Sequence, residues 1–246
     1  MTNKNLTFIL GLIMVLSCES DKQIIIDLDP YYFRGMINNK YYNYQIYDTT
    51  QSISQLVNRK GSCCHVTDTS TMMQTAFGIL YSPIDLSIGY YDLGIYFAYN
   101  HDMSLLTDEP IFYGNYYFKS DSEFHNIFST GIKEFLYSTP VNDDESGSIY
   151  FGQKYGVYIS LNAFSTVWHS YKSYNGILYS NSPINRFEVL ESKSINYSYD
   201  QSIYGNSRSR QIKGVFSCTL YNKDIDSGQY DSLEIVNAEF YGLVHE

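Results

Sequence analysis

Alternation of apolar and polar residues is the feature that most restricts what this chain can fold into. The stretch 212–221 shows it best, because every second position is apolar or small: Ile212, Gly214, Phe216, Cys218 and Leu220. Successive side chains of a β-strand point to opposite faces, so these residues are predicted to face a core. The chain also holds 27 Tyr residues. Tyr favours strands, and this composition argues against a helical bundle.

Similar short runs recur along the chain, and Gly, Asn, Asp, Ser or Pro separates them. The predicted strands are 31–37, 41–47, 73–81, 86–99, 111–118, 149–161, 164–169, 186–197, 212–221 and 232–243. Asn38 and Asn39 predict a tight hairpin between the first two strands, because Asn tolerates a positive φ. Many short strands with little helix predict an all-β fold, an antiparallel and jelly-roll-like β-sandwich with one short helix.

Two segments depart from simple alternation. Apolar residues at helical spacing predict the short helix over 122–129, capped by Ser122, and after Gly131 a strand over 132–138. In the last strand Ile235 and Ala238 are in opposite phases, which predicts a β-bulge near Val236 and Asn237. The last two strands are predicted to form an antiparallel hairpin across 222–230.

The N-terminus has the pattern of an export signal. An apolar run of eleven residues, 6–16, rises only about 16 Å as a helix, against a hydrocarbon core of about 30 Å. This length predicts a signal peptide. Val15-Leu16-Ser17-Cys18 resembles the lipobox of bacterial lipoproteins, which implies cleavage between Ser17 and Cys18 and acylation of Cys18, with palmitate among the acyl chains. An ordinary signal peptide that ends near Cys18 is the alternative.

An acidic stretch, Glu19-Ser20-Asp21-Lys22, follows this cysteine. Glu19 and Asp21 make it similar to the signal that exports lipoproteins of the Bacteroidota to the cell surface; a solvated tether is the alternative. The resemblance implies the outer membrane of a Gram-negative bacterium, on its outer surface. The chain then divides into a signal peptide (1–17), a tether (18–30) and one domain (31–246).

The net charge restricts the possible partners. The formal charge is −10, and it becomes −11 when Lys4 is lost with the signal peptide. Nucleic-acid binders need clustered Lys and Arg to displace phosphate counterions, so this acidic chain is not expected to bind nucleic acid.

Several segments together resemble a loose set of Bacteroidota surface lipoproteins of unknown function. They are the lipobox, the hairpin 33–40, a Phe-x-x-x-Phe-x-x-Gly element over 124–131, Trp168-His169-Ser170, and the stretches 187–189, 214–222 and 233–240. Ala238 departs from the pattern, which usually has Gly there. The resemblance implies a β-rich domain in the cell envelope, and it implies no activity.

The sequence contains no complete pattern for a metal, cofactor or catalytic site. Cys63 and Cys64 are adjacent and precede His65, but they lack C-x-x-C spacing. In an exported chain Cys218 either bridges to Cys63 or Cys64, or is a small buried apolar residue. The acidic stretch 224–231 lacks ligands that an EF-hand needs and is predicted to be a polar turn. No H-E-x-x-H or G-x-S-x-G motif occurs. We therefore expect no metal and no cofactor.

Pairs of adjacent tyrosines provide the remaining candidates for binding. Neighbouring rings on a strand point to opposite faces, so one ring of each pair faces outward if the other is buried. Outward rings stack on sugars or anchor protein interfaces; these candidates are Tyr41, Tyr90, Tyr116 and Tyr117. Tyr as a simple strand former is the alternative.

Three functions stay open at this point. The first is a non-enzymatic, lipid-anchored binding or structural module, whose partner is a glycan or another outer-membrane protein. The second is a glycan-binding surface protein that uses the exposed tyrosines. The third is a secreted-type hydrolase that acts on an extracellular polymer, which needs His101, His125 or His169 to converge with carboxylates in a cleft.

Overall fold

The computed structural model describes residues 31–46, 57–62, 72–82, 92–105, 118–136, 155–163, 166–174, 177–195, 208–223 and 228–245. Most of them lie in antiparallel strands. The elements are β1 (Tyr31–Ile37), β2 (Lys40–Ile46), β3 (Val57–Ser62), β4 (Met72–Tyr81), β5 (Asp92–Asp102), a 3-10 turn (Met103–Leu105), α1 (Asp121–Ile127), β6 (Gly131–Lys133), β7 (Tyr155–Ala163), β8 (Thr166–His169), β9 (Lys172–Tyr174), β10 (Ile177–Tyr179), β11 (Arg186–Ile195), β12 (Ser209–Lys223) and β13 (Tyr230–His245). The predicted all-β class with one short helix is confirmed.

One curled sheet contains 11 of the strands. Its order is β2-β1-β13-β12-β8-β7-β5-β4-β3, while β11 pairs with β12 and with β6; β9 and β10 form a separate two-stranded sheet. The curl brings β1 and β2 over the end of β4, where the ring centroids of Phe33 and Tyr81 lie 6.0 Å apart. The Tyr44 hydroxyl donates to the carbonyl oxygen of Ser82 at 2.7 Å. Two parts of the same sheet thus face each other across the core, as the layers of a sandwich do.

The first hairpin forms where the sequence predicts it. Asn38 and Asn39 have φ angles of 47° and 66°. Both angles are positive, as a type I′ turn requires, and Asn is one of the few side chains that accept them. β2 begins at Lys40, one residue earlier than predicted, because Lys40 already pairs with Ile37.

The predicted bulge near Val236 and Asn237 is confirmed. Phe216 pairs with Ala238, whereas Cys218 pairs with Ile235, so two residues of β13 lie opposite the single residue Ser217. Asn237 has a φ of 51°, as expected for a residue that leaves the regular ladder. The β12–β13 hairpin is also confirmed, since Lys223 pairs with Tyr230.

A close approach between β1 and β13 accompanies the bulge. A methyl group at position 35 would lie 2.8 Å from the Cα atom of Ala238. Glycine at position 35 therefore allows the two backbones to pack at this distance, because any larger residue would collide with β13.

The helix differs in detail from the prediction. α1 covers Asp121–Ile127, and its N-cap is Ser120, whose Oγ accepts a hydrogen bond from the backbone N–H of Ser122 at 3.1 Å. Ser122 is therefore not the cap, because it already lies inside the first turn. β6 ends at Lys133, and the predicted strand continues only as an isolated bridge between Phe135 and Val157.

Aromatic rings fill the space between α1 and the sheet. Phe187 contacts the rings of four other phenylalanines, with centroid distances of 5.4–6.3 Å: Phe97, Phe135, Phe216 and Phe240. Phe124 and Phe128 of the α1 region pack on Phe77. The only tryptophan, Trp168, is half-buried against this core.

Candidate binding face

Five neighbouring strands, β2, β1, β13, β12 and β11, carry polar and half-buried side chains on the side away from the core. Their inward side chains are buried, as at Phe33, Phe216 and Phe240. The residues between them point the other way. We call this set the outer face: Tyr32, Arg34, Tyr41, Arg186, Glu188, Glu191, Lys213, Val215, Ser217, Asn237, Glu239 and Tyr241.

An open groove of about 320 Å³ lies at the bulge. The polar residues that line it are Arg186, Ser217, Asn237 and Glu239, and the apolar residues are Val215, Phe216 and Ala238. The backbone N–H of Asn237 donates to Ser217 Oγ at 3.0 Å, so a side chain replaces the missing ladder partner. The volume lies at the lower end of the range for small-molecule sites, roughly 300–1,000 Å³.

Oppositely charged side chains stand next to each other across the outer face. The three pairs are Arg34 with Glu239, Arg186 with Glu188, and Lys213 with Glu191. The Arg34 Nε atom donates to Glu239 Oε2 at 2.8 Å, and this hydrogen bond raises the pKa of Arg34. The Arg186 Nη2 atom donates to Glu188 Oε2 at 2.9 Å. Exposed pairs of this kind add little to stability. Their effect is that the outer face is charge-balanced, although the chain as a whole carries −10.

Tyr41 is the most exposed tyrosine of the outer face. Its side chain is 59% exposed, while its neighbour Tyr42 is only 7% exposed and faces the core. The prediction that one ring of this pair points outward is confirmed. The first pair behaves in the same way, because Tyr31 is buried and Tyr32 is half-buried. Three other candidates lie outside the described residues: Tyr90, Tyr116 and Tyr117.

The register of the sheet aligns Tyr41 with the groove, in the same row of residues that lie opposite one another across the strands. Tyr41 lies opposite Met36 on β1, and Met36 lies opposite Val236 on β13, directly before the groove residue Asn237. β2 and β13 are two strand spacings of about 4.8 Å apart, so Tyr41 lies about 10 Å from Val236. The guanidinium of Arg34 also stacks over the ring of Tyr32, 4.9 Å from its centroid.

The histidines lie on different elements. His101 on β5 is buried beside Tyr99 and Phe118, and this burial lowers its pKa. His125 lies on α1, and His169 lies on β8 with its ring stacked on Tyr171 at 4.9 Å. None of the three lines the groove, so none of them can act there as a general base.

His125 lies beside a serine hydroxyl, which is a group that can act as a nucleophile in hydrolases. Its Nε2 atom lies 3.2 Å from Ser194 Oγ, and that oxygen also accepts a hydrogen bond from Arg210 Nη1 at 2.9 Å. Burial and the charge of Arg210 lower the pKa of His125. Arg210 also donates to Ser192 Oγ and to the Ser192 carbonyl oxygen. The two serines therefore serve to hold a nearly buried guanidinium between β11, β12 and α1.

Cys218 is a free and completely buried thiol. Burial raises its pKa, which keeps it neutral and unreactive. These properties match the predicted alternative of a small buried apolar residue. The other predicted special residues lie outside the described residues: Ser17, Cys18, Glu19, Asp21, Cys63 and Cys64. Within the described ranges, no group of three or more His, Cys, Asp or Glu side chains is arranged to hold a metal ion.

Sequence reasoning missed four residues that line or flank the groove. They are Arg34, Arg186, Asn237 and Glu239. Their outward phase and the bulge were both visible in the sequence, but their proximity depends on pairing between strands far apart in the chain: Arg34 and Glu239 are separated by 205 positions.

No known family can be assigned to this chain. No protein-family model matches it, and comparisons with curated proteins and with solved structures found no match. Among the described residues, no helix combines the length and the apolar character needed to cross a membrane. In the described part of the chain, the outer face combines an exposed tyrosine, paired charges and an open groove.

Proposed function

We propose that this chain is a lipid-anchored protein of the bacterial cell envelope that binds its ligand through the outer face and catalyses no reaction. The observation that carries the proposal is the exposure of Tyr41 in the same row as an open, polar groove. A tyrosine offers a large rigid contact area at little cost in conformational entropy, so an outward ring beside a groove is suited to binding.

Anchoring rests on the lipobox-like segment that ends at Cys18. A cysteine with more than one acyl chain holds a protein stably on a membrane, because each buried CH₂ group contributes about 0.8 kcal/mol. The acidic residues Glu19 and Asp21 support exposure on the cell surface over the periplasmic side.

The position of the groove suits a protein anchored by its N-terminus. The tether would join the domain at Tyr31, the first residue of β1. Met36, which pairs with Tyr41, lies five strand residues farther along, or about 17 Å at about 3.4 Å per residue. Tyr41 thus lies toward the end of β1 and β2 away from the anchor, where a ligand outside the membrane can reach it.

Photo-crosslinking from the outer face tests the binding proposal. A photoreactive phenylalanine analogue replaces Tyr41 in the full chain on intact cells, and the matched control carries it at Tyr179, which is 42% exposed on β10. We expect irradiation to give a defined adduct from position 41 and none of the same mass from position 179. No adduct from position 41, or identical adducts from both positions, would contradict binding by this face and favour a purely structural role.

Cell fractionation tests the anchor independently. The Cys18→Ala variant has no sulfur to acylate, so we expect it to leave the membrane fraction. A variant that stays in the membrane fraction as the unmodified chain does would contradict the lipoprotein assignment. Ser20→Ala, two residues away, is the control and should fractionate normally.

A further inference from the structure

From the charge pairing of the outer face we propose that its ligand is an uncharged oligosaccharide, bound in an extended form from Tyr41 to Arg186. This inference rests on the proposed function and adds the chemical class of the ligand. It starts from the groove, whose lining mixes hydrogen-bond donors, acceptors and apolar surface.

The paired charges determine which ligands the groove accepts. The guanidinium of Arg186 is held by Glu188, and that of Arg34 is held by Glu239. An anionic ligand would have to compete with these carboxylates for the same donors, while the negative chain repels it from a distance. A cationic ligand would have to compete with Arg34, Arg186 and Lys213 for the carboxylates that these side chains already pair with.

An uncharged polyol meets neither obstacle. A sugar hydroxyl is both a donor and an acceptor, so it can donate to the second oxygen of a carboxylate and accept from an unused guanidinium N–H. Glu239 and Arg186 are both partly exposed and present such atoms on the two sides of the groove. The exposed amide of Asn237 between them offers a further donor and acceptor.

The aromatic residues supply the second element of sugar recognition. The flat ring of Tyr41 can cover the apolar face of a pyranose, and it is exposed enough to do so. In the groove the half-buried side chain of Val215 offers a smaller patch of apolar surface, whereas the side chains of Phe216 and Ala238 face the core.

The spacing of the strands sets the size of the ligand. Tyr41 lies on β2 and Arg186 on β11, which are separated by four strand spacings, or about 19 Å at about 4.8 Å each. A single sugar cannot span this distance. An oligosaccharide that lies across the strands can contact both ends.

A panel of immobilised ligands tests the proposal with the full chain in mild detergent. The panel contains uncharged, sulfated and uronic-acid oligosaccharides, each as short and long chains. We expect retention of one or more long uncharged oligosaccharides and none of the anionic ones. Retention of anionic oligosaccharides alone, or of no glycan, would overturn the proposal.

Variants then locate the site for the retained oligosaccharide. Tyr41→Ala should weaken binding by about twofold to twelvefold, because a stacking contact contributes about 0.5–1.5 kcal/mol. Tyr41→Phe keeps the ring and should bind within about twofold of the unmodified chain. Tyr179→Ala is the control and should bind normally. Equal losses for Tyr41→Ala and Tyr179→Ala, or loss with Tyr41→Phe, would overturn the assignment, provided that the thermal unfolding of each variant is unchanged.

The photo-crosslinking experiment separates this proposal from the function on which it rests. An adduct from position 41 that contains protein and no sugar would overturn the glycan assignment while the binding function stands. An adduct that contains uncharged sugar would support both.

Discussion

Replacement of Phe187 by alanine is the most direct perturbation of the packing that holds the outer face in place. The ring is completely buried and contacts Phe97, Phe135, Phe216 and Phe240. Two of these rings belong to β12 and β13, the strands that form the bulge. Loss of the ring therefore removes support directly under the groove.

The size of the effect follows from the burial of the ring. Truncation of a buried phenylalanine to alanine costs about 3–5 kcal/mol, because the apolar contacts are lost and a cavity remains. In a domain of this size, 1 kcal/mol shifts the midpoint of thermal unfolding by about 2–4 °C, so Phe187→Ala should lower Tm by about 6–20 °C. Leu190→Ala on the same strand is the control. Leu190 is 44% exposed, and its loss should change stability by about 0.5 kcal/mol or less.

Chemical unfolding followed by tryptophan fluorescence measures both variants. The chain contains one tryptophan, Trp168, which packs against the core and reports on its integrity. A cost below about 1 kcal/mol for Phe187→Ala, or an equal cost for Leu190→Ala, would refute the argument that Phe187 joins the layers of the core.

Three further predictions concern the bulge, pH and the buried thiol. Asn237 has a positive φ, so Asn237→Gly should retain full stability while Asn237→Val should lose about 1–2 kcal/mol in urea unfolding; equal stabilities would contradict the assigned backbone conformation. Burial lowers the pKa of both His101 and His125, so the unfolded chain binds more protons just below pH 6.5 and stability should fall as pH decreases through that region. Urea midpoints measured between pH 8 and pH 5 check this, and replacement of both histidines by Gln should flatten the curve. Cys218 should resist iodoacetamide in the folded chain and react after denaturation, because its thiol is buried. Mass-spectrometric mapping of its peptide measures the labelling. Labelling of Cys218 in the folded chain would contradict its burial.

The local features of the fold could be predicted because they depend on neighbouring residues. The Asn38–Asn39 turn follows from the tolerance of Asn for positive φ, and the bulge follows from the phase change between Ile235 and Ala238. The inward face of β12 follows from a period of two, and its predicted members are all buried.

Other elements carried weak or misleading local signals. The strand β3, with the sequence VNRKGS, shows no apolar alternation and was not predicted. The helix cap is predicted at Ser122, whereas the structure has it at Ser120, two residues earlier.

The candidate site could be predicted only in part. The outward phase of Tyr41 follows from its neighbour Tyr42. The groove does not follow from local sequence, because β1 pairs with β13 at the other end of the chain and this pairing creates the contact between Arg34 and Glu239. Long-range strand pairing leaves no periodic signal in either segment alone.

Amide hydrogen exchange of the full chain with and without the carbohydrate fraction of the cell envelope tests the central claim most directly. If the outer face binds, the peptides that contain Arg186–Glu188 and Asn237–Glu239 should gain protection, because both line or flank the groove. The peptides of β4 and β5, on the far side of the sheet order, should exchange at an unchanged rate. Protection confined to β4 and β5, or protection nowhere in the chain, would contradict the account.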